Sequence, residues 1–233
     1  MAGPGSCGTV TFADVAPNPM LTREKLIAAA EQLFAERSID GVSLRQINSA
    51  AGQRNSTALQ SHFGGRSGLI RAVLDKHRGA IEARRHTLLD EYEDAGAGDL
   101  RLVAAALVRP VAVELSDPDG GRAYLRIMAQ LVNRPGRPGP GPETTDPTDS
   151  IYRWRQLVAP LMPEVAVQRL HLRWVALRTT YVELARRAEE PPALDDRLFT
   201  SYLIDLVTSV LTTTPSPETL ELLDASSRRR AEA

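Results

Sequence analysis

Residues 42–63 read Val-Ser-Leu-Arg-Gln-Ile-Asn-Ser-Ala-Ala-Gly up to Gly52 and Gln-Arg-Asn-Ser-Thr-Ala-Leu-Gln-Ser-His-Phe up to Phe63. Ser43 is a residue type that favours helix N-caps, and glycine at position 52 can take the positive φ angle that ends many helices. Apolar and small residues recur at helical spacing on both sides of this glycine. The stretch therefore predicts two short helices that meet at a glycine turn, which is the organisation of a helix-turn-helix.

The second of these helices, predicted over residues 57–62, has a polar outer face. This face and the segment at its N-terminal end are expected to present six side chains: Arg54, Asn55, Ser56, Thr57, Gln60 and Ser61. Arg, Asn and Gln are the side chains that hydrogen-bond purine edges in the major groove of DNA. The pattern favours base contacts, and an ordinary solvated face is the alternative.

Basic residues are concentrated around this motif. Residues 18–80 hold nine Lys and Arg against five Asp and Glu, whereas the rest of the chain holds 19 against 24, and the net charge of the whole is only −1. A locally basic segment is attracted to a polyanion. The division favours nucleic acid as a partner of the N-terminal part, with a chance excess of charge as the alternative.

Outside the motif, apolar residues recur at helical spacing and no segment alternates with period two. The fold is therefore predicted to be all-α, with Thr22 as N-cap of a first helix and Ser67 as N-cap of a long fourth helix. Pro163 to Arg187 is predicted to form one helix. The predicted organisation is a disordered leader over 1–20, a helix-turn-helix domain over 21–66, a helical domain over 67–213 with a mobile Pro/Gly loop at 133–149, and a polar tail over 214–233.

Four stretches resemble, in order and spacing, the DNA-binding domain of TetR-family transcriptional regulators. They are Ile-Ala-Ala-Ala-Glu-Gln-Leu-Phe-Ala-Glu at 27–36, Gly-Val-Ser-Leu-Arg-Gln-Ile at 41–47, Ala-Ala-Gly at 50–52 and Ser-His-Phe-Gly-Gly-Arg-Ser-Gly-Leu-Ile at 61–70. The resemblance implies a homodimeric repressor that binds a palindromic double-stranded DNA operator. It also implies a C-terminal helical domain that binds a small-molecule effector.

The resemblance also implies roles for residues that flank the recognition helix. Arg66 matches the basic residue that contacts phosphate before the fourth helix, Ser43 and Arg45 match positions near the DNA backbone, and Thr22 lies at the edge of the interface. This chain departs from the family pattern at two points. It has one more residue between Gly52 and Phe63, and it has Ser61 where an aromatic residue is common.

The C-terminal helices are apolar over wide arcs, which is typical of helices that pack on one side within the subunit and on another against a partner. The predicted dimer interface consists of Leu170, Leu177, Leu184, Phe199, Leu203, Leu206 and Val210. A monomer that buries these residues in its own core is the alternative. A candidate effector pocket is lined by Tyr124, Met128, Leu131, Trp154, Leu157, Trp174 and Tyr181, although such residues at helical spacing are usually core. His77 is predicted to be a core or interdomain residue.

Several classes of function are disfavoured by what the sequence lacks. It has one cysteine, Cys7, and its four histidines have no metal-ligand spacing, so neither a metal site nor a cofactor is predicted. No catalytic motif is present, which argues against an enzyme. No apolar run is long enough to cross a bilayer and no secretory signal is visible, so the protein is placed in the cytoplasm. A helical adaptor that binds proteins stays open as an alternative to a DNA-binding repressor.

Overall fold

The computed structural model describes residues 19–53, 58–96, 98–134, 146–168, 170–192 and 194–231. These residues form α-helices and two short 3-10 turns, with no strand among them, so the all-α prediction is confirmed. None of the described helices combines the length and the apolar character that crossing a bilayer requires. The helices are α1 (Pro19–Arg37), α2 (Leu44–Ala50), α3 (Ala58–Phe63), α4 (Arg66–Asp94), α5 (Leu100–Ala112), α6 (Gly121–Val132), α7 (Ser150–Val158), α8 (Glu164–Gln168), α9 (Leu172–Glu189), α10 (Arg197–Thr212) and α11 (Pro217–Ala231), and the 3-10 turns are Val113–Leu115 and Ala159–Leu161.

The N-terminal helices enclose a small core of their own. α1 packs against α2, α4 and α6, while α3 packs against α4. The side chains at the centre of this unit are fully buried: Leu26, Ala30, Phe34, Ile47, Leu59 and Leu69. Burial of a side chain of this size stabilises a fold by about 1.5–3 kcal/mol, so α2 and α3 are held in place although each is too short to be stable alone.

The C-terminal helices form a second, larger packing unit. α5 packs between α4 and α10, and α6 packs along α9. Trp154 of α7 is fully buried, and its indole N–H donates to the carbonyl oxygen of Val103 at 2.8 Å. α4 contacts both units, so one continuous helix connects the helix-turn-helix with the C-terminal helices.

Two predicted helix starts were wrong. α1 begins at Pro19, a residue type suited to the first helical position, so Thr22 lies inside the helix and is buried instead of capping it. α4 begins at Arg66 after Gly65, whose φ of 119° lets the chain turn directly into the helix, so Ser67 is not the N-cap. Residues 1–18 of the predicted leader lie outside the described residues, and positions 19 and 20 are helical.

Three predictions about the C-terminal half need correction or refinement. The helix predicted from Pro163 to Arg187 is broken into α8 and α9 at His171, which has a φ of 52°. Of the loop predicted at 133–149, residues 135–145 lie outside the described part, whereas Asp149 caps α7 by accepting from the backbone N–H groups of Ile151 and Tyr152. The polar tail is helical between Pro217 and Ala231.

Candidate nucleic-acid interface

The turn after α2 is built around Gly52, which has a φ of 69°. The N–H of Gly52 donates to the carbonyl of Ser49 at 3.0 Å, and the N–H of Gln53 donates to the carbonyl of Asn48 at 2.9 Å. This pair of hydrogen bonds is the Schellman motif, which satisfies the last carbonyls of a helix and turns the chain away from its axis. The predicted glycine turn of the helix-turn-helix is therefore present.

The start of α2 is closed by a capping box. The Ser43 hydroxyl accepts from the backbone N–H of Gln46 at 3.2 Å, and the Gln46 side chain accepts from the backbone N–H of Ser43 at 2.8 Å. The same hydroxyl donates to the Gln46 side-chain oxygen at 2.9 Å. The predicted cap is confirmed, and it already uses the hydroxyl hydrogen that a phosphate contact at Ser43 would need.

The end of α3 lies directly against the first turn of α4. Phe63 is followed by Gly64, whose φ is 65°, and by Gly65. A Cβ atom added at Gly68 would lie 1.8 Å from the carbonyl oxygen of Phe63. Because that distance is far inside van der Waals contact, glycine at position 68 sets how closely α3 can approach α4.

Arg66 is turned toward the protein. Its Nη1 donates to the carbonyl of Ile39 at 2.7 Å, its Nη2 donates to the carbonyl of Val42, and the guanidinium lies 6.0 Å from the centre of the Phe34 ring. The side chain thus fastens the connection between α1 and α2 to the start of α4. A phosphate contact by Arg66 would have to use the remaining N–H groups of the guanidinium.

A buried polar cluster joins the N-terminal helices to the C-terminal ones. His77 of α4 is 3% exposed, with Nε2 at 2.6 Å from Glu31 of α1 and Nδ1 at 2.7 Å from Glu114 in the 3-10 turn. Its ring stacks on Tyr124 of α6 with the ring centres 4.7 Å apart. We call Glu31, His77 and Glu114 the junction cluster.

Charge keeps the junction cluster together. Burial by itself lowers the pKa of His77, but the hydrogen bonds that its ring donates to Glu114 and Glu31, together with their negative charge, outweigh this effect and raise the pKa to about 9. The imidazole is therefore a cation at neutral pH and donates to both carboxylates. Lys76 adds a second cation, 2.9 Å from Glu31, and Arg84 lies 3.2 Å from Glu114.

A second link between the two units comes from Gln130 of α6. Its side-chain oxygen accepts from the backbone N–H of Ile39 at 2.7 Å, and its side-chain N–H donates to the carbonyl of Phe34 at 2.9 Å. The end of α1 is therefore held by a side chain of the C-terminal unit. A displacement of α6 would be transmitted to α1 through these contacts.

Comparison with protein families identifies the N-terminal unit. Residues 26–73 match the family described as bacterial regulatory proteins, tetR family. The match covers the N-terminal unit and does not extend into α5 to α11. The matched residues contain α2, α3 and the start of α4, so the part of the chain that is similar to this family is the unit whose turn and junctions are described above.

Solved structures similar to this chain include a repressor, a receptor and a regulator. NalD, the secondary repressor of the MexAB-OprM multidrug efflux pump in Pseudomonas aeruginosa, is 19% identical with a TM-score of 0.47, over 85% of this chain and 100% of that one. A gamma-butyrolactone receptor described as ArpA-like is 20% identical with a TM-score of 0.43, over 82% and 99%. A TetR-family regulator from Streptomyces coelicolor is 20% identical with a TM-score of 0.38, over 86% and 100%. No curated protein matches this chain.

The predicted DNA-contacting residues of the N-terminal unit differ in their surroundings. Arg45, Gln60 and Ser61 are exposed, and Ser43 is exposed at its cap. Thr22 is 9% exposed, and the guanidinium of Arg66 donates to backbone carbonyls. Both side chains therefore offer DNA less surface than the predicted contacts need. Arg54, Asn55, Ser56 and Thr57 lie outside the described residues.

The residues predicted to line an effector pocket lie in the packed C-terminal unit. Tyr124, Met128, Leu131, Trp154 and Tyr181 are buried, and Leu157 and Trp174 are partly buried. Two surface grooves of about 340 and 370 Å³ lie elsewhere, between α1 and α6, and share Ala35 and Arg126. The predicted pocket residues thus pack as core in this structure.

The predicted dimer residues divide into two groups. Leu177, Leu184 and Leu203 are buried within the chain and have no surface to offer a partner, so this part of the prediction is wrong. Phe199, Leu206 and Val210 are partly exposed, and Leu170 lies between α8 and α9. The apolar residues with the largest exposure on α9 and α10 are Val175, Leu198 and Tyr202.

Three features of this chain have no counterpart in the predictions from sequence. The partners of His77 were not foreseen, since Glu31 and Glu114 are far from it along the chain. Gly68 belongs to the stretch at 61–70 that resembles the family pattern, but nothing in the sequence indicates its close contact with Phe63. Arg85 was overlooked although it lies four residues after Ile81 on the apolar stripe of α4, and a charged residue on such a stripe is a readable signal.

Proposed function

We propose that this protein is a sequence-specific DNA-binding transcriptional regulator. It acts as a dimeric repressor, and the helix-turn-helix units of its two subunits bind a palindromic operator. The observation that carries the proposal is the α2–α3 unit, a glycine turn followed by a short helix with exposed polar side chains, within a TetR-family domain. Such a helix enters the major groove, and two copies read half-sites about one helical turn apart. We infer a cytoplasmic location, where chromosomal DNA is accessible.

We further propose that a small molecule bound by the C-terminal helices releases the operator. The junction cluster and Gln130 support this, because they tie α1 to α4, α6 and the 3-10 turn. A ligand that displaces α6 changes the position of α1 and with it the distance between the two helix-turn-helix units of the dimer.

The DNA-binding proposal predicts different effects for Arg45 and Gln60, both exposed. Arg45→Ala is expected to weaken binding several-fold on every sequence and to reduce the salt slope by about 0.9, since it removes one phosphate contact. Gln60→Ala is expected to change the preference among operator variants, because it removes a base contact. Electrophoretic mobility shifts on the promoter region next to the protein's own gene, over a salt series, measure both effects.

Arg71→Ala is the control for these variants, because Arg71 is an exposed arginine of α4 beyond the recognition helix. It should leave sequence preference unchanged. If Arg45→Ala and Gln60→Ala lost equal DNA-binding affinity on all sequences, Gln60 would not be a base-contacting residue. No salt-dependent binding by the unmodified protein to any fragment would reject the DNA-binding function and leave the adaptor alternative.

The dimer is proposed to form through the outer faces of α9 and α10. Leu198, Tyr202, Leu206 and Val210 follow one another at intervals of four along α10, and the first two are 84% and 60% exposed. Exposed apolar residues in one line on a helix are typical of a partner interface. The opposite side of α10 packs inside the chain through Leu203 and Val207.

Tyr202→Asp is therefore expected to convert the dimer to a monomer and to weaken operator binding at least tenfold, because a charge is costly in an apolar interface. Light scattering after size-exclusion chromatography gives the mass of the species. Leu222→Asp on α11 is the matched control, since Leu222 is also 60% exposed. A dimer that persists in Tyr202→Asp, or dissociates equally in Leu222→Asp, would place the interface elsewhere.

A further inference from the structure

Arg85 of α4 is a buried cation with few partners. Its residue surface is 1% exposed, and its Nη1 donates to the Ser150 hydroxyl at 2.8 Å. Among the described residues, its Nε and Nη2 have no hydrogen-bond partner. The nearest carboxylate oxygen belongs to Glu82, 3.8 Å from Nη1, and the other oxygen of Glu82 accepts from the backbone N–H of Ser150.

Another buried arginine shows what full pairing looks like in this protein. Arg187 is 8% exposed, and its Nε donates to Asp196 at 2.8 Å. Its Nη1 donates to Glu190 at 3.3 Å and to the carbonyl of Pro191 at 3.1 Å. Buried charges in folded proteins are normally paired and hydrogen-bonded in this way, because burial without partners is costly. Arg85 departs from this rule.

The two unpartnered atoms of Arg85 have a specific geometry. Nε and Nη2 form one edge of the planar guanidinium, and their N–H bonds on that edge are parallel. A carboxylate accepts two such hydrogen bonds at once, one on each oxygen. The edge left open is therefore the edge that binds a carboxylate in the bidentate manner, and hydroxyl or single carbonyl groups satisfy only half of it.

The surroundings of Arg85 connect this edge to the junction cluster. Burial raises the pKa of the Tyr124 phenol on α6 well above its ordinary value. Arg85 lies near enough for its positive charge to act in the opposite direction and lower that pKa. The phenol is thus a neutral hydrogen-bonding group, with that of Tyr181 beside it. The Tyr124 ring stacks on His77, which bonds to Glu31 of α1. Tyr124 therefore lies near Arg85 and in direct contact with the junction cluster, which reaches the DNA-binding helices through Glu31.

We propose that Arg85 is the anchor of the effector site and that the effector carries a carboxylate, bound by the Nε–Nη2 edge. The proposal rests on the proposed function in naming this ligand the effector. The carboxylate supplies the missing charge partner of Arg85, while the body of the molecule takes a place that opens when the core side chains around Tyr124 and Tyr181 move apart. Binding separates α4 from α6 at Tyr124 and so acts on the junction cluster.

The test uses the full-length dimer and two pairs of probes, benzoate with benzamide and octanoate with octanamide. Calorimetry measures affinity, and the midpoint of thermal unfolding gives an independent reading, since a ligand that binds only the folded state raises it. We expect at least one acid to bind at least tenfold more tightly than its amide. Arg85→Gln is expected to lose at least 100-fold in affinity for that acid and to keep the affinity for the amide.

Two further variants keep the result interpretable. Arg85→Lys retains the charge but lacks the pair of parallel N–H groups on Nε and Nη2. Its affinity for the acid should therefore fall at least tenfold while the protein stays folded. Arg71→Gln removes an exposed arginine of the same helix and should change nothing. Acids that bind Arg85→Gln or Arg85→Lys as tightly as the unmodified protein would overturn the proposal. So would amides that bind as tightly as acids, or no response to either acid up to about 10 mM.

Operator binding is measured separately, so that the site and the proposed function fail in different ways. Acid binding that depends on Arg85 together with release of DNA supports both. The same acid binding with the operator still held supports the carboxylate site and overturns its role as the effector site. A protein that binds no DNA rejects the proposed function, while the comparison between Arg85 variants still decides whether the edge binds a carboxylate.

Discussion

Gly68→Ala is expected to abolish operator binding and to lower the free energy of unfolding by about 3 kcal/mol, the upper end for overpacking a tight contact. The added Cβ atom would lie 1.8 Å from the carbonyl oxygen of Phe63 and 2.9 Å from its carbonyl carbon. Both are backbone atoms at the end of α3, so no side-chain rotation relieves the overlap. The recognition helix must move away from α4, and its polar face then no longer matches the groove.

Gly79→Ala is the matched control for Gly68→Ala, because both glycines lie within α4 and a Cβ at Gly79 meets no atom within 4 Å. This variant should gain up to about 1 kcal/mol, since alanine is the better helix former. Urea unfolding measures the free energies, and mobility shifts measure DNA binding. If Gly68→Ala were as stable as Gly79→Ala and bound the operator normally, the close approach of α3 to α4 would not be needed.

His77→Gln is expected to lower the free energy of unfolding by about 3 kcal/mol near pH 6, with the loss shrinking as the pH rises toward 10. A pKa raised from 6.5 to about 9 corresponds to about that energy. Because the pKa is higher in the folded state, the stabilisation is complete below about pH 6.5 and disappears as the pH rises through about 9. Above that pH the ring has one N–H, and it can donate to Glu31 or to Glu114 but not to both.

Urea unfolding of His77→Gln and the unmodified protein at several pH values between 6 and 10 gives this difference directly. His86→Gln is the control for removing an imidazole from the same helix, since the His86 side chain is 34% exposed and lies outside the junction cluster. A difference between His77→Gln and the unmodified protein that is constant with pH, or that grows as the pH rises, would mean that His77 is not the cation of the junction cluster.

The parts of the interface that could be predicted depend on chemistry between close neighbours in sequence. Ser43 caps the helix that begins one residue later, and Gly52 closes the turn by bonds to residues a few positions before it. These interactions need only the local chain, so residue type and spacing suffice to predict them. The all-α architecture follows from the same kind of signal, whereas the start of α4 at Arg66 does not, since Ser67 is the better N-cap by residue type.

The direction of a side chain on an amphipathic helix is a different problem. The wide apolar arc of α10 predicts two buried faces, but periodicity alone cannot say which faces the core and which faces a partner. Leu203 is 1% exposed and Tyr202, one position earlier, is 60% exposed. Only the positions of α5 and α9 against α10 decide this, and for that reason three of the predicted dimer residues proved to be core.

The sequence by itself thus determined an all-α chain with a capped, glycine-turned helix pair and a polar recognition helix, because those features depend on residues within one or two helical turns. Tertiary structure alone decided that Arg66 would turn inward to Ile39 and that His77 would meet Glu31 and Glu114, 46 and 37 positions away. Tertiary structure also determines that Nε and Nη2 of Arg85 have no hydrogen-bond partner among the described residues. Contacts over such separations depend on how whole helices pack, and the free energy of burying a charge is set by partners that no local pattern reveals.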